Sequence, residues 1–220
     1  MTVGDTFTPS NVDGVGMKAG VRALGVAESF EGDRSTLAGV VVRADRVVDG
    51  FGFADCTVGG TDATAAIGSL VETICREDVR YVLLGGLALA WYNVVDLHRL
   101  AERVDRPVIS VTFEESEGLE RPLREEFSGD DLHTRLETYR VQPRRHRVRV
   151  NDHRVFIRAI GLDPEEAHEV VATFTPTGGR PEPLRVARLA ARGADAWRAR
   201  AEGWETDVEM DSDADTADTE

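Results

Sequence analysis

The chain has 220 residues, 41% of them apolar and 30% charged, and a net charge of −14 at neutral pH. This balance is ordinary for a folded, soluble protein and gives enough chain for one sizeable domain with tails. No apolar run approaches the roughly 20 residues that span a bilayer, and no charged, apolar and then small-residue signal opens the sequence, so a cytoplasmic protein without a membrane partner is expected.

The acidity is partly a property of one end. Glu205 to Glu220 carry eight acids and no base, which leaves −6 for the rest. Such a segment cannot bury enough apolar surface to offset its ordering entropy, so residues 204–220 are expected to be a disordered acidic tail. Lys18 is the only lysine and the other twenty-five basic residues are arginine. An acidic surface with arginine in place of lysine suits a salt-rich cytosol such as a halophile's, and a GC-rich genome favours the same codons. Acidity of that origin says little against nucleic acid as a partner. Cys56 and Cys75 have neither CxxC spacing nor a histidine at metal spacing, and read as reduced, buried thiols.

Residues 1–16, MTVGDTFTPSNVDGVG, have no period and are expected to be a disordered extension. Met17 is a second candidate start, and a domain over 17–203 follows it. Val21 to Ala27 and the valine-rich Leu37 to Arg43 predict two strands. Asp45-Arg46 predicts a tight turn into a third, Val47 to Val58, where Gly50 and Gly52 mark a bulge or a close approach. Thr61 or Asp62 can cap a helix whose Ala63, Ile67, Leu70, Val71 and Ile74 follow helical spacing. The continuously apolar Arg80 to Leu84 fits a strand buried on both faces of a parallel sheet. A helix is expected from about Ala90 to Arg103, then a strand over Pro107 to Phe113. A meander followed by this alternation predicts an α/β fold with a mixed sheet.

Glu114 to Phe127 is acidic, with Pro122 near a possible helix start, and Asp130-Asp131 can cap a helix through Tyr139. Val148 to Val150 and Val155 to Ile157 read as a hairpin turned at Asn151-Asp152. A helix from Asp163 through Phe174 and a last one opening at Pro183 close the domain. Leu184, Ala187, Ala191, Ala194 and Trp197 are its expected apolar face.

Four ordered pieces carry a resemblance. They are Leu24-Gly25-Val26 with Ser29-Phe30, Thr57 through Thr64 (TVGGTDAT), Tyr92 through Asp96 (YNVVD), and Pro181 through Ala187 (PEPLRVA), spread from about residue 18 to 195. Together they make the chain similar to the archaeal endonuclease dU family, which is itself similar to endonuclease V. The resemblance implies a ribonuclease H-like mixed central sheet flanked by helices. It also implies a DNA endonuclease that acts on deaminated bases in repair, using Mg²⁺ or Mn²⁺ held by carboxylates on neighbouring strands.

In the family one such carboxylate follows the Gly25-Val26 pair and another ends the strand at Leu84. This chain has Ala27 and Gly85 there, with Gly59 for an aspartate, and Glu114-Glu115 where relatives tend to carry bases. Glu28 is the substitute metal ligand that the sequence offers, although adjacent strand residues face opposite sides unless a bulge intervenes. Asp62 and Asp96 are the remaining candidate catalytic carboxylates, each also suited to capping a helix. Arginines 140, 144, 145, 147, 149 and 154 form a basic stretch against an acidic body. Arg144, Arg145, Arg147 and Arg149, with Arg185, are therefore candidate nucleic-acid contacts, and pairing with the chain's many carboxylates is the alternative. Trp91 and Tyr92 could stack on a base or pack in the core. Gly85-Gly86 fits neither phosphate-loop spacing, and the five histidines show no metal spacing. Two readings follow: a metal-dependent endonuclease, or a catalytically impaired paralogue that binds nucleic acid or a protein partner without cleavage.

Overall fold

A computed structural model describes residues 18–74 and 77–212, with the side chains given through residue 201. The expected N-terminal extension, Cys75 and the last residues of the acidic tail lie outside the described residues. Strands β1 (Arg22–Glu31), β2 (Arg34–Arg43) and β3 (Val48–Thr57) form the antiparallel meander, turning at Gly32 and at Arg46, both at positive φ. Helix α1 (Ala63–Ile74) leads to β4 (Val79–Leu84), which pairs parallel to β1, and β7 (Val108–Thr112) pairs parallel to β4. The hairpin of β8 (His146–Val150) and β9 (His153–Ile160) turns at Asn151 and closes the sheet by pairing β9 antiparallel to β7. The seven strands run β3-β2-β1-β4-β7-β9-β8. This is the mixed sheet that the sequence predicted.

Side-chain alternation sorts the sheet into two cores. Leu24, Val26, Val82, Leu84 and Val108 pack with Ile67, Leu70 and Val71 of α1 and with Leu97 and Leu100 of α2 (Leu97–Val104). Ala23, Leu83, Ile109 and Val111 face the other way, onto α5 (Pro164–Thr173) and α6 (Glu182–Ser212) through Ala167, Val170, Val171 and Leu184. Each fully buried Leu or Ile is worth roughly 1.5–3 kcal/mol in removal from water. Both expected roles of the β3 glycines are present. A bulge falls where Val41 and Val42 meet Gly50 and Val48. At Gly52, an added Cβ would meet Ile74 of α1 at 2.3 Å. Asp163 starts α5 through a full capping box with Glu166.

Two expectations need correction. The helix expected from Ala90 begins at Leu97, where the Asp96 carboxylate accepts from the backbone N–H groups of His98 and Arg99. No comparable cap stands before Ala90. The preceding segment instead forms a small hairpin of β5 (Ala88–Leu89) and β6 (Asn93–Val94). On α6, Leu184, Ala187 and Ala191 are buried as expected, but Trp197 is 73% exposed. The slot after Ala191 on the buried face is Asp195, which accepts from Ser29 and Thr36 of β1 and β2 at 3.2 and 2.9 Å. Trp197 lies well off that face at about 100° per residue. Among the described residues, two further helices, α3 (Glu120–Glu126) and α4 (Gly129–Arg140), lie between β7 and β8.

Candidate functional site

The parallel strands β4 and β7 end side by side, and their carboxyl ends open into a cleft of about 520 Å³. In open α/β sheets this is where ligands bind, because the connections after the strands splay apart there. Gly85 and Gly86 follow β4 directly into it, Ser110 and Thr112 of β7 line it, and the rings of Tyr92, Phe113, Tyr139 and Phe156 make its apolar walls. Four arginines, Arg145, Arg158, Arg180 and Arg188, face it beside one glutamate, Glu114.

Of the arginines, Arg145 and Arg158 are built in. Arg145 lies over the Phe156 ring at 4.0 Å and donates to Thr112 Oγ1, to Ser116 Oγ and to the Ser116 and Glu114 carbonyls. Arg158 donates to the Tyr139 hydroxyl at 3.2 Å and to the Pro143 carbonyl. Arg180, just before α6, stacks on Phe113 at 4.1 Å. Burial, and then the positive charges of Arg188 and Arg192, lower its pKa. Among the described residues neither Arg180 nor Arg188 has a carboxylate partner. Four guanidinium groups beside a single carboxylate leave an excess of positive charge that an anion would relieve.

The sequence-predicted contacts fall elsewhere for the most part. Arg147 and Arg154 share Glu115, Arg149 pairs with Asp152, and Arg140 with Glu120. Arg185 holds Glu182 at 2.6 Å, drawing that carboxyl below its ordinary pKa. Arg144 is exposed, and only Arg145 of the predicted group lines the cleft. Compensation by carboxylates, the alternative reading of the basic stretch, therefore applies to most of it. Arg180 and Arg188 were not singled out by sequence reasoning, yet a signal existed. Arg185 has Glu182 at the helical spacing of three, whereas Arg188 has only Leu184, Arg185, Ala191 and Arg192 at three and four.

The three candidate carboxylates do not converge on the cleft. Glu28 follows the alternation of β1 without a bulge and faces the α1 side with Leu24 and Val26, where Ser35 Oγ donates to it at 3.0 Å. Asp62 lies in the turn before α1. It accepts from Thr57 N–H and Oγ1 and from the Asn93 amide at 2.6 Å. Its burial works toward a raised pKa, but these hydrogen bonds outweigh that and hold the carboxyl below its ordinary value. Asp96 caps α2. Each has a structural role, and among the described residues no three His, Cys, Asp or Glu side chains gather closely enough to hold a metal ion.

Ala27 and Gly85, by contrast, are neighbours. Gly85 N–H donates to the Val26 carbonyl at 2.9 Å, and a Cβ added at Gly85 would stand 3.7 Å from that of Ala27. These are the positions at which the resemblance implies metal-binding acids. They offer a methyl group and a hydrogen, so this donor set does not fit a hard divalent cation.

Cys56 of β3 is buried within reach of the Asp62 and Glu28 charges. Burial first, and then the Asp62 and Glu28 carboxylates, push its thiol up to about 12. With so little thiolate, alkylation of Cys56 at pH 8 in a Cys75→Ser background should be at least about a hundredfold slower in folded than in urea-unfolded protein. Rapid labelling of the folded protein, followed by mass spectrometry, would contradict this.

Residues 19–194 match the endonuclease dU family. A UPF0215 protein of Pyrobaculum aerophilum is 37% identical over 175 residues, covering 78% of this chain and 92% of the relative. Another, from Methanothermobacter thermautotrophicus, is 33% identical over 184 residues, covering 80% and 89%. Among solved structures, an Archaeoglobus fulgidus protein of unknown function superposes with a TM-score of 0.71 at 27% identity, covering 79% of this chain and 98% of that one. Human ENDOV superposes with a TM-score of 0.57 at 17% identity, covering 81% and 86%. Ciona intestinalis endonuclease V, solved with a 24mer DNA containing an inosine, gives 0.54 at 12%, covering 79% and 85%. The fold is thus that of endonuclease V, ribonuclease H-like, and the chain belongs to the endonuclease dU family.

Proposed function

We propose that this protein binds nucleic acid by its phosphates in the arginine-lined cleft at the carboxyl ends of β4 and β7, without a carboxylate-held cation of its own. The observation that carries this reading is the contrast between arginines. Most of those on the β8–β9 hairpin are matched by acids, whereas Arg180 and Arg188 face a cleft without a carboxylate partner. Guanidinium groups beside a concave surface suit phosphate oxygens, which they can hold in pairs of parallel hydrogen bonds. DNA bound to Ciona intestinalis endonuclease V supports the ligand class.

The test is a salt titration of DNA binding. Each phosphate contact removed should flatten the slope of log K against log salt by roughly 0.7–0.9, so Arg180→Ala/Arg188→Ala should flatten it by roughly 1.4–1.8. Arg149→Ala, already matched by Asp152, should leave it unchanged. An unchanged slope in the double variant would remove the cleft from consideration. Family membership favours a second reading, a metal-dependent endonuclease acting on deaminated bases in repair. Cleavage of uracil- or hypoxanthine-containing duplex with Mg²⁺ or Mn²⁺, lost in Glu28→Ala, would replace the binding-only reading with that one.

A further inference from the structure

Between β5 and β6 the backbone does something uncommon. Ala90, Trp91 and Tyr92 all have positive φ, at 43°, 58° and 58°. L-residues enter the left-handed region singly in most proteins, because Cβ crowds the following carbonyl. Three in succession persist only where the surroundings over-determine them. Here they do. Leu89 and Asn93 pair across the small hairpin, Ala90 is fully packed and its carbonyl accepts from Gly59 N–H at 2.7 Å, and Asn93 is buried and bonded to Thr57, Asp62 and Ala63.

The residue at the centre of this turn gains little from it. Trp91 is 51% exposed. Its ring rests edge-on against Tyr92, with centroids 5.5 Å apart, and Tyr92 in turn meets Phe127 at 6.2 Å and lines the arginine cleft. The strained turn thus presents a large indole to solvent, on a rigid aromatic backing, one ring away from the phosphate-binding groups. A half-exposed Trp on a backbone pinned by these contacts is suited to a planar ligand, and the planar group that accompanies a phosphate chain is the nucleobase.

We propose that Trp91 is a stacking platform for an unpaired base of the bound strand, so that the preferred ligand is single-stranded or locally unpaired nucleic acid. Inside a duplex both faces of every base are already stacked, which leaves the indole only the two end pairs. The inference rests on the cleft reading and adds to it the state of the ligand.

Fluorescence of a Trp197→Phe/Trp204→Phe protein, with Trp91 its only indole, follows binding of a single-stranded 12-nucleotide DNA and of the same sequence as a blunt duplex. The single strand should quench the emission and bind more tightly. Trp91→Ala should weaken single-strand binding roughly tenfold or more, with the salt slope unchanged and melting temperature retained, and Trp91→Phe should recover most of the loss. Equal binding of single strand and duplex, or full affinity in Trp91→Ala, would overturn the stacking platform while leaving the cleft intact. Absence of DNA binding in the unsubstituted protein would overturn both.

Discussion

An Ala27→Asp/Gly85→Asp variant is expected to acquire a divalent-cation site that these two positions do not supply in the unsubstituted protein. Ala27 lies on β1 and Gly85 directly follows its parallel neighbour β4, and a Cβ at Gly85 meets only ordinary contacts, at 3.5 Å to the Val26 carbonyl and 3.7 Å to Ala27 Cβ. A side chain at Gly85 therefore enters without moving the backbone, whereas the aspartate at Ala27 enters a buried position beside Val40, Val42 and Ala187. Without a cation their carboxylates repel, raising the pKa of one and lowering stability at neutral pH. A bound Mn²⁺ relieves this, and at a hundred times its Kd contributes about 2.7 kcal/mol. For a domain of this size that is a rise of roughly 5–11 °C in melting temperature. Melting curves in a MnCl₂ series check it. An equal rise in the unsubstituted protein would mean that a cation is held by other groups, and would undo the binding-only reading. No rise in the variant would mean that Ala27 and Gly85 are not paired as described.

The second large effect is expected from one methyl group. Gly25, in the middle of β1, lies under the first turn of α6, and a Cβ there would fall 2.4 Å from the Pro183 carbonyl carbon and 2.5 Å from its oxygen. Neither atom belongs to a flexible side chain, so Gly25→Ala must push helix and sheet apart. Overpacking costs about 1–3 kcal/mol even where side chains can yield, and this contact should reach or exceed the upper end. Denaturant unfolding should place Gly25→Ala at least about 3 kcal/mol below the parent, and Gly20→Ala, with nothing within 4 Å of the added Cβ, within about 0.5 kcal/mol of it. Equal stability of the two variants would contradict the docking of α6 on β1.

The same contact explains why the fold was legible. Leu24-Gly25-Val26 and Pro181 through Ala187 lie at opposite ends of the sequence, and the structure presses Gly25 against Pro183. Each piece is constrained by the other, so both carry a recognisable pattern. Strands and helices were readable wherever a single period ruled, as in the valine run of β2 or the spacing of α1. The stretch after β4 was not, because its backbone is set by contacts distant in sequence, from Gly59 to Ala90 and from Asn93 to Thr57. The paired positions Ala27 and Gly85 were legible through resemblance alone. The cleft was only half visible, because the basic stretch stands out by charge density, whereas what distinguishes Arg180 and Arg188 is that neither pairs with a carboxylate among the described residues.

Joining the two ends of the chain also sets a timetable. One face of β1 and β2, with Ala27, Val40 and Val42, is covered by Ala187 of α6, and the Ser29 to Asp195 bond spans 166 residues. During synthesis at about 5–20 residues per second, the meander waits on the order of 10–30 s for its lid. Contacts of such sequence separation form late and slow folding, because the loop-closure entropy is met before the contact rewards it. Throughout that interval an apolar sheet face and the open edge of β3, with Phe51 and Phe53 exposed even in the finished fold, stand uncovered. The nascent protein, more than the mature one, is where this architecture is vulnerable to association and where a chaperone would have most to hold.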